Sequence, residues 1–130
     1  MSIRKLLARS ASSMSTWGLR HIARRPAANM PGKIALKLDP QIIAESMGKV
    51  TEGSIVVVGT NGKTTITNMI ADALERQGKT VACNRTGANL AYGVATTLLQ
   101  TKGSVEWGVF ESDELWLAHT LPQVLSLIHI

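Results

Sequence analysis

The chain has 130 residues, with 14 lysines and arginines, 9 aspartates and glutamates, and a net charge of +5. This length suits one domain with a moderate core. Residues 1–38 contain eight basic residues and no acidic one, so this head carries +8 and the remainder −3. A nucleic-acid-binding domain would be more uniformly basic, so we expect no nucleic-acid partner.

Residues 1–30 are predicted to form a basic arm that ends in a linker between Pro26 and Pro31. Apolar residues alternate irregularly with arginines and serines in this arm. Three interpretations remain open: an amphipathic helix on an anionic membrane, an organellar transit peptide, or a helix packed on the body. No apolar run approaches the roughly 20 residues that span a bilayer. We expect a cytoplasmic protein, and the membrane interpretation would place the arm at the inner face of the membrane.

Residues 31–130 are predicted to form an α/β domain. Asp39 and Pro40 are the N-cap and first turn of a short helix that Gly48 ends. Strands then alternate with helices, which is typical of a parallel sheet flanked by helices on both faces. Such sheets bind ligands at the carboxyl ends of their strands. The predicted elements are strand 54–58, helix 63–77, strand 80–83, loop 84–89, helix 90–100 and strand 105–110.

Helix 63–77 has an amphipathic pattern and is predicted to link two parallel strands by a right-handed crossover. Its polar face would carry Asp72, Glu75 and Arg76. The opposite, apolar face would be formed by Ile66, Met69, Ile70, Ala73 and Leu74.

A glycine-bracketed turn between the first strand and this helix predicts a nucleotide-phosphate site. Gly59 and Gly62 would let the backbone approach phosphate, and the helix N-terminus would present free amides to the anion. Lys63 would reach the terminal phosphates, and the hydroxyl of Thr64 would bind Mg²⁺. The usual pattern requires a glycine where this chain has Val57, so the loop is a shortened variant. The predicted ATP-binding residues are Gly59, Thr60, Asn61, Gly62, Lys63, Thr64 and Thr65.

Two further loops follow predicted strands. Loop 84–89 is polar and contains Arg85, so it either holds an anionic substrate group or simply caps the next helix. The segment 110–114 has three carboxylates in four positions. Oxygen ligands of this kind suit Mg²⁺, and Glu111 is nearest the strand end. The alternative is an acidic helix N-terminus favoured by the helix dipole.

Cysteine and histidine give little evidence of other chemistry. Cys83 is the sole cysteine, which indicates a reducing compartment, and we interpret it as a small core residue rather than a nucleophile. The three histidines, His21, His119 and His129, have no metal-ligand spacing. The only metal indicated is the Mg²⁺ that accompanies ATP.

The phosphate loop resembles the ATP loop of the Mur ligases and folylpolyglutamate synthases, which also lack the extra glycine. Within that superfamily, residues 28–125 resemble the MurT-type ligase subunits of lipid II isoglutaminyl synthase. Four segments carry the resemblance: 30–37 with Asp39 and Pro40, 59–65, 84–89 and 110–114. Residues 31–130 would then be part of a Mur ligase central, ATP-binding domain.

The resemblance implies an ATP-dependent ligase of peptidoglycan biosynthesis. Such subunits phosphorylate the α-carboxylate of D-glutamate in lipid II. Ammonia from a GatD-type glutamine amidotransferase then displaces phosphate to give D-isoglutamine. Lys63 and Glu111 would be catalytic, and Thr64 and Glu111 would hold Mg²⁺. A membrane-bound substrate would also give the basic arm a reason to contact the bilayer.

Members of this group are several hundred residues long, with a zinc-binding insertion and a C-terminal domain. We therefore expect this chain to be a fragment that is inactive by itself, with zinc bound only by the missing downstream part. Two alternatives stay open. One is another Mur ligase or folylpolyglutamate synthase that joins an amino acid to its acceptor. The other is a non-catalytic nucleotide-binding module.

Overall fold

The computed structural model of the protein describes residues 29–124. The predictions for the basic arm up to residue 28, and those for residues 125–130, lie outside the described residues. Within residues 29–124, none of the helices combines the length and the apolar character that a membrane span requires.

The centre of the fold is a parallel sheet of three strands in the order β1-β3-β2. The strands are β1, Val50–Val57; β2, Val81–Cys83; and β3, Val105–Glu111. The last strand in sequence therefore lies between the other two. Because the strands are parallel, their carboxyl ends meet at one edge of the sheet, where ligands bind in folds of this type.

Helices precede, connect and follow the strands in the described part of the chain. They are α1, Met30–Leu38; α2, Ile42–Ser46, followed by the 3₁₀ turn Met47–Lys49; α3, Lys63–Arg76; α4, Ala91–Gln100; and α5, Glu114–Val124. The predicted α/β class, a parallel sheet with flanking helices, is confirmed.

The two faces of the sheet have different helical layers. The main apolar cluster joins α1, α2, α4 and α5 to strand residues that include Val50, Ala82 and Phe110. Helix α3 contributes nothing to that cluster, although it contacts all three strands. Successive side chains of a strand point to opposite faces. Glu111 therefore points away from Phe110, towards the layer that contains α3.

The predicted linker ends earlier than expected. Helix α1 already begins at Met30, and Pro31 occupies its first turn in a buried position. Proline is well tolerated there because the first N–H groups of a helix have no intrahelical partner. Assigning Pro31 to a linker was therefore wrong.

The apolar face predicted for α3 is only in part the face that packs on the sheet. Two of its five residues are half-buried and the other three are exposed. The residues that are buried are Thr67 and Ala71, whereas Ile66 is 48% exposed and Met69 is 65% exposed. Small side chains at i and i+4 share one face of a helix and allow it to lie close to a sheet. Periodicity located the apolar arc of α3, but it did not identify the face that packs.

Strand β1 begins four residues before its predicted start at Ser54. Its pairing with β3 is irregular between Val50 and Gly53, and the Trp107 ring lies over Gly53. The exposed Thr51 and Glu52 and the glycine together hide this half of the strand from pattern recognition. The other predicted strands, helix 63–77 and helix 90–100 agree with the structure to within one residue at each end.

The predicted start of the short helix α2 was wrong. Its N-cap is Gln41, two residues after the predicted Asp39, and Asp39 is instead the C-cap of α1. Regular α-helix then ends at Ser46, before the 3₁₀ turn that contains Gly48. Asp39 Oδ1 does accept a 3.1 Å hydrogen bond from the Gln41 amide, so the aspartate stabilises the turn between the two helices.

Candidate functional site

The turn between β1 and α3 presents the start of a helix to solvent. Gly62, the N-cap of α3, has a φ of +76°, a conformation that glycine adopts without strain. The first hydrogen bond of the helix runs from the Ile66 amide to the Gly62 carbonyl over 3.0 Å. The amides of Lys63, Thr64 and Thr65 precede that bond, and a helix leaves such amides available to an anion.

The lysine of the loop lies over its own turn. The Lys63 ammonium donates a 2.5 Å hydrogen bond to the Gly59 carbonyl and is partly buried. This bond holds the cation beside the amides at the start of α3. The side chain thus adds a positive charge to the end of the helix that is already electropositive.

Glu111 brings a carboxylate to the same place from β3. The residue is only 2% exposed, and its Oε2 has no hydrogen-bond partner within the described structure. Buried polar atoms are nearly always paired, so an orphaned carboxylate oxygen needs an explanation. A bound cation is one such explanation, because it would supply the missing partner.

The acidic segment that contains Glu111 divides into two parts with different roles. Asp113 Oδ1 accepts a 3.0 Å hydrogen bond from the Leu115 amide at the start of α5. Glu114 is exposed in the first turn of that helix. These two carboxylates fit the helix-start interpretation, and only Glu111 enters the cleft.

Loop 84–89 forms the opposite wall. Gly87 has a φ of +73°, and a Cβ added to it would come within 3.2 Å of Thr64 Oγ1. Asn89 also faces the cleft, and its carbonyl accepts a 2.8 Å hydrogen bond from the Asp113 amide. The loop therefore connects the start of α3 with the segment that follows β3.

Arg85 does not serve as the anion-binding cation of this loop. Its guanidinium pairs with Asp72 over 2.6 Å and with Glu75 over 2.8 Å, both on α3. The Asp72 hydrogen bond is the main reason that the pKa of Arg85 is raised. Because the guanidinium is neutralised by two carboxylates, the capping interpretation of loop 84–89 is the better one for Arg85.

These elements enclose an open cleft of about 390 Å³ at the carboxyl edge of the sheet. Its lining consists of Thr60, Asn61, Gly62, Lys63, Thr64, Thr65, Gly87, Asn89 and Glu111. The structure thus brings together all the predicted site residues except Gly59, which contributes its carbonyl to Lys63 from outside the lining. Sequence reasoning did not single out Gly87 or Asn89, because nothing in the loop itself shows that it folds against the phosphate loop.

The profile of the Mur ligase middle domain matches residues 57–123, which is just over half of the chain. The chain belongs to the Mur ligase family. The match begins at the last residue of β1 and covers the whole cleft. In this family member, the cleft is therefore part of the middle domain itself.

Two curated relatives are similar over most of this Mur ligase chain. The MurT subunit of lipid II isoglutaminyl synthase (glutamine-hydrolyzing) from Streptococcus pneumoniae is 36% identical over 121 residues, covering 91% of this chain and 26% of the relative. The MurT subunit from Staphylococcus aureus strain COL is 31% identical over 124 residues, covering 87% of this chain and 27% of the relative. The chain thus spans about a quarter of the length of these relatives.

The cleft of this Mur ligase domain fits a nucleotide phosphate with Mg²⁺. The amides before Ile66 can donate hydrogen bonds to phosphate, and the Lys63 ammonium supplies a positive charge. Thr64 and Glu111 offer oxygen atoms to a hard cation. Among the side chains that the structure describes, there is no cluster of three or more acidic, histidine or cysteine residues that could hold a metal alone. Mg²⁺ that is bound with nucleotide needs only one or two carboxylates, because phosphates and water complete its shell.

Cys83 at the end of β2 is half-buried and is not part of the cleft lining. Burial raises the pKa of its thiol to about 11. A thiol with that pKa is protonated at neutral pH and is a poor nucleophile. This agrees with the interpretation of Cys83 as a structural residue.

Proposed function

We propose that this chain is the ATP-binding part of an ATP-dependent carbon–nitrogen ligase subunit. Its reaction would convert the D-glutamate of lipid II to D-isoglutamine, a step in peptidoglycan biosynthesis. The observation that carries the proposal is the buried, unpaired carboxylate oxygen of Glu111 in the same cleft as Lys63 and the start of α3. Similarity to two MurT subunits supports the choice of acceptor.

The chemistry has two steps. An oxygen of the D-glutamate α-carboxylate attacks the γ-phosphorus of ATP, the bond to the β–γ bridging oxygen breaks, and ADP leaves. Ammonia then attacks the carbon of the acyl phosphate, phosphate leaves with the C–O bond electrons, and the nitrogen loses a proton. Phosphorylation is needed because a free carboxylate is a poor electrophile.

The residues of the cleft would act mainly by charge and position. Lys63 and the amides at the start of α3 would stabilise negative charge on the transferring phosphoryl group. Thr64 and Glu111 would hold Mg²⁺, which supplies further positive charge when it is bound. The walls formed by Gly87 and Asn89 would limit the orientations of the nucleotide.

The ammonia would come from glutamine, and Cys83, whose pKa is raised to about 11, is an unsuitable nucleophile for hydrolysing it. The MurT relatives are named as subunits of a glutamine-hydrolyzing enzyme. We infer a glutaminase subunit of the GatD type as partner. Residues 1–28 are proposed to contact the membrane that carries lipid II.

A second candidate follows from the family match. The middle-domain profile covers the nucleotide cleft and carries no information on the acceptor. A ligase that joins an amino acid to a muramyl peptide or a folate would therefore present a similar cleft. The product separates the two: a primary amide with ammonia, or a peptide bond with an amino acid.

The nucleotide site can be tested by titrating Mg²⁺ against the non-hydrolysable analogue AMP-PNP in the full-length protein. Glu111→Gln should raise the Mg²⁺ midpoint at least about tenfold, since loss of a carboxylate ligand weakens a hard-cation site, with metal-free AMP-PNP binding little changed. Glu114→Gln is the matched control, because it removes an exposed carboxylate three residues away. Superimposable Mg²⁺ titrations of wild type and Glu111→Gln would remove the cation site from the proposal.

A further inference from the structure

A buried asparagine connects the two walls of the cleft. Asn84 is 3% exposed and lies immediately after β2. Its Oδ1 accepts a 2.8 Å hydrogen bond from the Glu111 amide, and its Nδ2 donates to the Glu111 carbonyl over 3.0 Å. The carboxamide therefore binds both backbone polar groups of the residue whose carboxylate enters the cleft.

The same side chain also closes loop 84–89. Asn84 Nδ2 donates a second hydrogen bond, 2.8 Å long, to the Ala88 carbonyl. The loop between these residues contains Gly87, which lies against Thr64. One carboxamide thus sets the position of Glu111 and of the wall that touches Thr64.

We propose that Asn84 is a positioning residue that fixes the Glu111 carboxylate relative to Thr64, and so sets the affinity of the cleft for a Mg²⁺–nucleotide complex. The inference rests on the proposed function, since it assumes that these two side chains hold the cation. It extends that function to a residue that is outside the cleft lining. Partners that orient metal ligands commonly change metal affinity by about 10–100-fold when they are removed.

The alternative role for Asn84 is purely structural. In that case its loss would lower the stability of the fold, and any effect on binding would apply equally to nucleotide with and without Mg²⁺. The positioning role predicts a selective effect. Metal-free binding depends on the phosphate loop, whereas Asn84 hydrogen-bonds to Ala88 and Glu111. Mg²⁺ binding depends on the Glu111 carboxylate.

Two variants of similar shape test the inference in the full-length protein. Asn84→Leu removes all three hydrogen bonds. Asn84→Asp keeps the acceptor but places an oxygen opposite the Ala88 and Glu111 carbonyls. Asn68→Leu is the matched control, since Asn68 contacts the same loop through a 3.4 Å hydrogen bond to the Arg85 carbonyl and forms no hydrogen bond with Glu111. AMP-PNP affinity is measured without metal and across a Mg²⁺ titration, and a urea melt reports stability.

We expect both Asn84 variants to raise the Mg²⁺ midpoint at least about tenfold, with metal-free AMP-PNP affinity within twofold of wild type and Asn68→Leu unchanged. The aspartate is informative because an added negative charge alone would tighten Mg²⁺ binding, whereas displacement of Glu111 weakens it. Unchanged or tighter Mg²⁺ binding in the folded variants overturns the inference, and so does unfolding of both. Absence of AMP-PNP binding by wild type would instead refute the proposed function itself.

Discussion

Gly87 lies directly against Thr64, so that a Cβ on the glycine would come within 3.2 Å of the threonine Oγ1. Thr64 is in the first turn of α3, and Gly87 is in loop 84–89, 23 positions later in the sequence. Gly87 has no side chain to fill the space beside this hydroxyl, and its φ of +73° also favours glycine. The contact joins the phosphate loop to loop 84–89 and leaves the hydroxyl open towards the cleft.

Gly87→Ala is therefore expected to weaken Mg²⁺–AMP-PNP binding several-fold as well as to destabilise the fold. The left-handed backbone alone costs an alanine about 1–2 kcal/mol. Gly103→Ala provides a matched control, since Gly103 has a φ of +69° but a Cβ there meets no atom within 4 Å. Urea melts should show comparable losses of stability for the two variants, whereas calorimetric titration should show weaker binding only for Gly87→Ala. Equal binding by both would mean that the contact has no influence on the cleft.

The phosphate loop and the parallel sheet could be predicted from the sequence because both depend on residues that are close in the chain. The apolar run before Gly59, the glycine turn and the start of α3 form a local pattern, and alternating strands and helices imply a parallel sheet. The sequence did not show which carboxylates of segment 110–114 enter the cleft and which lie at the start of α5. Whether Glu111 or Asp113 enters the cleft depends on where β3 ends and on which residue caps α5.

Properties that depend on distant neighbours were missed. Ile66 and Met69 look like core residues by spacing, yet α3 packs through Thr67 and Ala71. The role of Asn84 requires the position of Glu111, 27 residues later. A local pattern holds no information on such pairings, because they are created by the strand order, in which β3 lies beside β2.

The contact between α1 and α4 gives a sharp test of packing. The Gly32 amide donates to Thr96 Oγ1 over 2.9 Å, and a Cβ on Gly32 would lie 1.9 Å from the Tyr92 carbonyl oxygen. Gly32→Ala must separate the two helices, so we expect it to lower the free energy of unfolding by about 1–3 kcal/mol or more. Gly48→Ala, at a glycine with nothing within 4 Å of its Cβ position, should change it by less than about 1 kcal/mol. Similar urea midpoints for the two variants would contradict the packing.

Glu106 should make the fold sensitive to acid. Hydrogen bonding from the Thr80 amide, followed by that from Lys79, lowers the pKa of Glu106 from its ordinary 4.5 to about 2. A carboxylate with a lower pKa in the folded state stabilises the fold above about pH 4.5, and that contribution disappears as the pH falls towards 2. Glu106→Gln should therefore have a lower urea midpoint than wild type at pH 7. The difference should shrink below pH 4.5 and vanish near pH 2; a difference that is constant with pH would refute the pKa assignment.

The central claim is that the cleft around Lys63 binds ATP for the amidation of lipid II. The decisive measurement is ADP release and D-isoglutamine formation by the full-length protein with its glutaminase partner, lipid II, glutamine, ATP and Mg²⁺. We expect one ADP per amide formed. Lys63→Ala should reduce the rate about 10²–10³-fold, which is the usual effect of removing one donor that stabilises a transition state. Lys102→Ala is the control, because this lysine is exposed and outside the cleft lining, and it should leave the rate unchanged. Amidation that proceeds equally well in Lys63→Ala, or a wild-type protein that consumes ATP only when an amino acid replaces ammonia, would contradict the account.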